Sequence, residues 1–277
     1  MSTLPVAAQT RPRRSDTSFT VLLAVMLTLS SNTGARAVNP NALWDIVHGQ
    51  CVPDLQKHGD PKPCAMVTLD GGVEQGYAVL KDLRGPAQFL LIPTARISGI
   101  EDPKLLGPDT PNYFAAAWQA RSHVEKRLGR SLPRDSVSLA VNSMFARSQN
   151  QLHIHIDCIR ADVRDALREH ARRIGDQWAP FDMPLAGHRY MAARVLGEEL
   201  GEANPFKLLA NGVPGAKDDM GRHTLVVTGA TFADGGPGFI ILDDHADPSA
   251  GDRGRGEDLQ DHACALADGS SAEGVPR

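Results

Sequence analysis

Short runs of alternating apolar and polar residues recur along the chain and predict β-strands. The first two runs are separated by the turn sequence DLRGP, and the last two flank ATFADGGP, so each pair predicts a hairpin. The six predicted strands cover residues 76–81, 88–93, 137–142, 152–158, 224–228 and 238–242.

Three segments between these runs predict helices. Residues 39–50 form a short amphipathic segment, and residues 160–174 predict a helix after the fourth strand. Between them, Thr110 is the expected N-cap and Pro111 suits the first turn of a helix that ends near Gly129. This order of elements predicts an α+β fold with a mostly antiparallel sheet and flanking helices.

The fourth predicted strand carries titratable side chains on one face. Side chains alternate along a strand, so Leu152, Ile154, Ile156 and Cys158 share one face, which belongs to the core. Neighbours on one face lie about 6.6 Å apart, which lets two imidazoles contact one small anionic group. The opposite, polar face holds Gln151, His153, His155 and Asp157.

Composition and net charge exclude few classes of protein function. The 277 residues are 42% hydrophobic and carry a formal net charge of −4, which is typical of a globular protein. Because no run of Lys and Arg dominates the chain after its N-terminal segment, nucleic acid is not an expected partner.

The N-terminal segment predicts export. A basic RPRR at residues 11–14 precedes an apolar run at 19–31, and a small-x-small site follows at residues 35–37. This arrangement is typical of a signal peptide. The same segment, left uncleaved, can serve as a membrane anchor that keeps RPRR on the cytoplasmic side.

Four cysteines agree with an exported protein, because disulfides form in oxidising compartments. Three pairings are possible. We favour Cys51–Cys64, which closes a polar, Pro-rich loop, and Cys158–Cys264, which attaches the C-terminal segment to the strand with the histidines.

Three interpretations compete for His153 and His155: a strand with a histidine-rich polar face, a metal site, or a histidine nucleophile for phosphoryl or nucleotidyl transfer. A metal site needs a third ligand, and Cys158 points to the other face. The remaining candidates, His188, His223 and His245, show no ligand spacing.

Polar residues upstream favour the nucleophile. Asn142 ends the third predicted strand, and Ser148, Gln149 and Asn150 precede the histidines. Hydroxyl and amide groups can hold phosphate oxygens and stabilise the charge that develops during transfer. The same residue types are also common in plain turns, which is the alternative for this cluster.

The sequence resembles the histidine triad (HIT) superfamily. QLHIHID is similar to its His-x-His-x-His motif with Gln151 at the first position, and Asn142 matches the upstream asparagine. Within the superfamily the chain is most similar to the bacterial CDP-diacylglycerol pyrophosphatase family. That resemblance runs through LKDLRGP, PTARISGIEDP, TPNYFAAAWQAR, CIRADVR, GHRYMAARV and QDHAC, and the four cysteines also fit it.

The resemblance implies an enzyme that hydrolyses CDP-diacylglycerol to CMP and phosphatidate, with no metal or other cofactor. It implies that His153 is the nucleophile that carries CMP covalently, and that His155 binds phosphate oxygens and assists the leaving group. Asn142 and residues 148–150 would orient His153 or hold the phosphate. Gln151 would contact substrate by hydrogen bonds in place of a titrating histidine.

The residue pattern and the resemblance together predict an organisation and a location. We expect a signal peptide or anchor at residues 1–37, a HIT-like catalytic core at 39–175, a β-containing C-terminal extension at 176–267 and a disordered tail at 268–277. A lipid substrate favours an inner-membrane anchor with the catalytic part at the periplasmic membrane surface, and a cleaved, soluble periplasmic form is the alternative.

The sequence is also compatible with two other functions. The first is a broader HIT-type nucleotide hydrolase or transferase that acts on soluble nucleotide conjugates. The second is an exported protein that binds a metal or another ligand through His153 and His155 without turnover.

Overall fold

Nine antiparallel strands form one sheet in the computed structural model, which describes residues 39–268. The strands are β1 Met66–Thr68, β2 Tyr77–Lys81, β3 Phe89–Pro93, β4 Val137–Val141, β5 Ile154–Cys158, β6 Ala179–Pro180, β7 Met191–Leu196, β8 His223–Phe232 and β9 Gly236–His245. Their order across the sheet is β1-β2-β3-β5-β4-β8-β9-β7-β6. The predicted α+β class with a mostly antiparallel sheet is confirmed, and this arrangement is compatible with a HIT-like core.

Two of the helices precede β1, three lie between strands, and one follows β9. They are α1 Ala42–Ile46, α2 Val52–His58, α3 Tyr113–Leu128, α4 Ala161–His170, α5 Pro205–Gly212 and α6 Ala265–Asp268. A π-helical turn, Val47–Cys51, joins α1 to α2 without a break. All six predicted strands are present, and β1, β6, β7 and α5 are elements that the pattern did not predict.

Two local predictions are wrong. The segment after Cys51 was expected to be a loop, but α2 continues through it and ends where Gly59 adopts a left-handed conformation, with φ 68°. The expected N-cap, Thr110, lies before the helix; Asn112 caps α3 instead, because its side chain accepts a hydrogen bond from the backbone N–H of Ala115.

Helices cover the two faces of the sheet unequally. On one face α3 packs Phe114 and Trp118 into a continuous core with β4, β5 and β8. The opposite face carries two separate apolar clusters. One lies under α1 and α2 and includes Leu90 of β3, and the other lies under α4 and includes Ala140 of β4. The gap between these two clusters lies over β5.

The C-terminal part of the chain continues the same sheet. Strand β8 pairs with β4, and β9 pairs with β7, so strands from residues 176–267 extend the sheet begun by residues 39–175. The division predicted near residue 175 stays a prediction, and so do the assignments for residues 1–37 and for the tail, which lie outside the described residues apart from Asp268. Within residues 39–268, no helix combines the length and apolar character that crossing a membrane requires.

Both predicted disulfides are present. Cys51–Cys64 joins the α1–α2 segment to the loop before β1, over a separation of 13 residues. Cys158–Cys264 joins the end of β5 to the C-terminal segment, over a separation of 106 residues. Two disulfides are typical of a protein that folds in an oxidising compartment.

The two disulfides are expected to differ in their contribution to stability. Because a crosslink restricts the unfolded chain more when it closes a longer loop, we expect Cys158→Ala/Cys264→Ala to lower the free energy of unfolding by about 4–5 kcal/mol. Cys51→Ala/Cys64→Ala should lower it by about 3 kcal/mol. Urea titrations of the two double variants and the parent protein measure both values, and an equal or reversed effect would contradict the expectation.

Candidate active site

The two histidines lie at the gap between the apolar clusters. On β5, His155 pairs with Leu90 of β3 on one side and with Ala140 of β4 on the other. Leu90 belongs to the cluster under α1 and α2, and Ala140 belongs to the cluster under α4. His153 precedes β5 on the same face, and the two imidazole rings lie edge to face with centroids 4.8 Å apart. The predicted alternation is confirmed, because Leu152, Ile154 and Ile156 pack into the opposite core.

A cavity of about 530 Å³ opens above the histidines. Its lining combines apolar side chains from α1, β2 and β3 with polar groups from three segments. These segments are the β2–β3 turn, the chain between β4 and β5, and the C-terminal segment. The lining residues are Ala42, Leu43, Ile46, Pro63, Leu80, Lys81, Asp82, Leu83, Arg84, Leu90, Asn142, Ala146, Ser148, Gln149, His153, His155, Arg255 and Glu257. We refer to this cavity as the histidine cleft.

His153 has one ring nitrogen fixed and the other available. Its Nδ1 lies 2.8 Å from the backbone carbonyl of Gln151. A carbonyl only accepts, so Nδ1 carries the proton and Nε2 keeps its lone pair. The side chain is 8% exposed. Burial lowers the pKa of His153. The hydrogen bond to Gln151 and the charge of Glu257 raise it, but the effect of burial is larger. The ring is therefore neutral at neutral pH.

His155 has the opposite arrangement. In the orientation that the Gln88 amide has here, Nε2 of Gln88 donates a hydrogen bond to Nδ1 of His155 at 3.0 Å. Nδ1 of His155 therefore carries no proton, and the proton of the His155 ring lies on its own Nε2. That Nε2 is buried and has no hydrogen-bond partner among residues 39–268. Burial, followed by the neighbouring His153 and Arg84, lowers the pKa of His155 well below its ordinary value. His155 can therefore donate a hydrogen bond from a neutral ring.

Glu257 connects the other polar groups of the cleft, although no sequence motif marks it. Asn142 donates to its carboxylate at 2.7 Å, and Arg84 donates at 3.2 Å. The same carboxylate lies 3.4 Å from Nδ1 of His155. Arg255, two residues earlier, also lines the cleft. Asn142 and Glu257 are 115 residues apart, so no local pattern could have paired them.

The predicted phosphate-binding residues are not all in the cleft. Asn142, Ser148 and Gln149 line it, whereas Asn150 and Gln151 are absent from the lining. The Gln149 side chain accepts a hydrogen bond from the backbone N–H of Leu43 at 3.1 Å and donates to the carbonyl of Asn39 at 3.0 Å. Gln149 therefore holds the start of α1 against the cleft.

Gln151 is fully buried beside the chain that leaves β3. Its Nε2 donates to the carbonyl oxygens of Pro93 and Ala95, at 3.0 and 2.9 Å. Its own backbone carbonyl accepts the hydrogen bond from His153. The side chain thus fixes the backbone group that orients the His153 ring, whereas the family resemblance implies that it contacts substrate.

Asp157 is also away from the cleft lining. It is fully buried, and its carboxylate accepts a hydrogen bond from His262 at 2.7 Å. This hydrogen bond raises the pKa of His262. Because Cys158 and Cys264 form a disulfide next to this pair, Asp157 helps to attach the C-terminal segment to β5.

Among the described residues, two groups of three side chains lie close enough to share a metal ion. One is Asp157 with Cys158 and Cys264, whose thiols are joined in a disulfide. The other is His188, Asp244 and Asp252. Neither group contains His153 or His155.

The fold and the cleft define the class of protein: an α+β enzyme that places a buried histidine pair beside a carboxylate and two guanidinium groups. A family model described as CDP-diacylglycerol pyrophosphatase matches residues 38–268. A protein of Yersinia pestis named CDP-diacylglycerol pyrophosphatase is 43% identical over 247 residues, which cover 89% of this chain and 93% of that protein. The chain therefore belongs to the CDP-diacylglycerol pyrophosphatase family, a family of hydrolases, and the predicted family is confirmed.

Replacing Gln151 with Leu tests its structural role. The change leaves two buried carbonyl groups without their donor, so we expect the free energy of unfolding to fall by about 1–3 kcal/mol in urea titrations. The exposed neighbour is the control: Asn150→Ala should change it by less than about 0.5 kcal/mol. Equal effects of the two variants would contradict this role.

Proposed function

We propose that this protein hydrolyses the pyrophosphate bond of CDP-diacylglycerol, with His153 as the nucleophile and a covalent CMP-histidine intermediate. The observation that carries the proposal is the pair of opposite tautomers. One buried ring presents a lone pair, and its neighbour presents an N–H, within one cleft. Attack on a phosphorus atom needs both, because the nucleophile adds electron density while a donor stabilises the oxygens that become more negative.

In the first step, Nε2 of His153 attacks the phosphorus of the cytidylyl group. The N–P bond forms as the bond from phosphorus to the bridging oxygen breaks, and the electron pair leaves with phosphatidate. His153 becomes positively charged, and its Nδ1–H continues to donate to the Gln151 carbonyl. The N–H of His155 donates to a phosphate oxygen or to the leaving oxygen.

In the second step, water attacks the same phosphorus. The N–P bond breaks, CMP leaves, the electron pair returns to Nε2 of His153, and the water releases one proton to the solvent. Nδ1 of His155 accepts from Gln88, so this ring keeps its Nε2 proton and can stabilise the phosphate oxygens in the second step as well.

Two guanidinium groups at the cleft suit the charge of a pyrophosphate. Arg84 and Arg255 both line it, and Arg84 contacts Glu257. Planar guanidinium groups match the geometry of phosphate oxygens. Asn142 and Ser148 add neutral donors on the same wall, in agreement with the roles that the family resemblance implies.

The apolar part of the cleft supports a lipid-linked nucleotide rather than a soluble conjugate. Leu43, Ile46, Leu80 and Leu90 contribute to its lining. At the β2–β3 turn, Leu83 also lines the cleft and is fully exposed, with a relative accessibility of 102%. An exposed leucine beside an apolar cleft suits contact with acyl chains at a membrane surface.

The proposed location is the periplasmic side of the inner membrane, and the two disulfides support an oxidising compartment. An anchor formed by the apolar run at residues 19–31 stays a prediction, with a cleaved signal peptide as its alternative, because that run lies outside the described residues.

His153→Ala tests the nucleophile directly. Loss of Nε2 should reduce CMP release from CDP-diacylglycerol in detergent micelles by at least about 1,000-fold. In the parent protein, brief exposure to substrate should add the mass of one cytidylyl group to the peptide that contains His153. His58→Ala changes an exposed histidine at the end of α2 and should retain both results. Substantial CMP release by His153→Ala, or a cytidylyl group on another residue, would refute the mechanism.

The proposed mechanism also predicts the pH dependence of kcat/KM. The nucleophile must be neutral, and burial lowers the pKa of His153, so activity should be lost only as the pH falls below 6.5. Glu257 opposes this lowering of the pKa of His153, so Glu257→Gln should move the acid limb to a still lower pH. An acid limb above pH 6.5, or a shift to higher pH in Glu257→Gln, would contradict the assignment.

A further inference from the structure

A second, larger cavity lies at the opposite end of the sheet from α1. It has a volume of about 940 Å³ and shares no lining residue with the histidine cleft. Its walls come from β7, β8 and β9, from the loops that precede β7 and β8, and from the loop that follows β9, and they are rich in histidine and aspartate. The ionisable residues of its lining include His188, Tyr190, His223, Asp243, Asp244 and Asp252.

Three of these side chains converge. One ligand atom from each of His188, Asp244 and Asp252 lies within 4.8 Å of the other two. Nδ1 of His188 is 2.9 Å from Oδ2 of Asp252. A metal ion about 2.0–2.2 Å from each ligand atom would bring these atoms slightly closer together, which small side-chain rotations achieve.

The cavity wall also contains buried polar atoms without partners. Asp244 is 4% exposed, and its Oδ2 has no hydrogen-bond partner among the described residues. Tyr190 is 2% exposed, and its hydroxyl group is likewise unpartnered in that part of the chain. A buried carboxylate oxygen without a partner is costly, so the position of Asp244 Oδ2 beside the Asp252 carboxylate favours binding of a cation.

The other two histidines of the cavity face other carboxylates and not Asp244 or Asp252. His223 binds Asp243 at 2.9 Å, and His245 lies 3.3 Å from Asp219. A cation between the Asp244 and Asp252 carboxylates would offset the repulsion between their charges.

We propose that His188, Asp244 and Asp252 bind a divalent transition-metal ion of the Zn²⁺ type. One imidazole nitrogen and two carboxylates suit Zn²⁺, whereas Ca²⁺ and Mg²⁺ prefer sites made only of oxygen atoms. Three protein ligands leave a coordination position for water. The Tyr190 hydroxyl, in the same wall, offers a hydrogen bond to such a water molecule.

The site has a structural role, because it lies at the start of the segment that carries Glu257. Asp252 accepts a hydrogen bond from the backbone N–H of Gly254, and Ser143 holds the same segment through the carbonyls of Arg253 and Gly254. Binding a metal ion at Asp252 would therefore fix the segment that ends in the histidine cleft.

The test measures Zn²⁺ binding by the full chain after treatment with a chelator. Calorimetry should show one equivalent of Zn²⁺, and a concentration of 100 times Kd should raise Tm by about 5–10 °C. Ca²⁺ at the same concentration should leave Tm unchanged. Asp244→Asn, Asp252→Asn and His188→Gln should each weaken binding at least tenfold.

Two variants serve as controls. Asp219→Asn alters a carboxylate of the same cavity outside the three ligands and should bind Zn²⁺ like the parent protein. The double variant His153→Ala/His155→Ala should also retain binding, which separates this site from the histidine cleft and from the proposed catalytic function. Binding that is absent from the parent protein, that persists in all three ligand variants, or that is lost in the double variant would overturn the proposal. His188→Gln alters a partly exposed side chain, so it keeps the test decisive if either aspartate variant fails to fold.

Discussion

The position of β5 between β3 and β4 is the constraint on which the rest of this structure depends. Both edges of the strand are paired, so its side chains can point only to the two faces of the sheet. One face is closed by α3, and Ile154 and Ile156 are buried there. On the other face, α1–α2 and α4 cover neighbouring strands and leave the histidines between them. The cleft exists because two helical layers end at the same strand.

Burial and fixed partners then determine the chemistry of the two rings. In water each imidazole exchanges tautomers freely, but here a carbonyl fixes one ring and an amide fixes the other. Burial lowers both pKa values, so the rings stay neutral although carboxylates are nearby. Two identical side chains, two residues apart, thereby acquire different roles.

The C-terminal segment completes the site from a distance. Gln260 donates hydrogen bonds to the backbone carbonyls of Ser138 and His155, and Cys264 is joined to Cys158. These contacts hold residues 255–264 against β4 and β5 and bring Glu257 to Asn142. The disulfide is therefore part of what places the carboxylate beside the histidines, and it links the oxidising compartment to the proposed activity.

The sequence by itself determined six of the nine strands, the faces of β5 and the histidine pair, because each follows from a short-range pattern or from a family motif. It favoured the two disulfides that form, although three pairings were possible. It did not determine Glu257, Gln88 or Arg255, since these residues carry no local signal and reach the cleft only through long-range packing. It also assigned the Gln151 side chain to the substrate, whereas the structure places it under the loop that follows β3. The alternation of side chains along a strand shows which face of the sheet a residue lies on. How deeply the residue is buried on that face depends on which helix or loop covers it. That covering is a property of the tertiary structure alone.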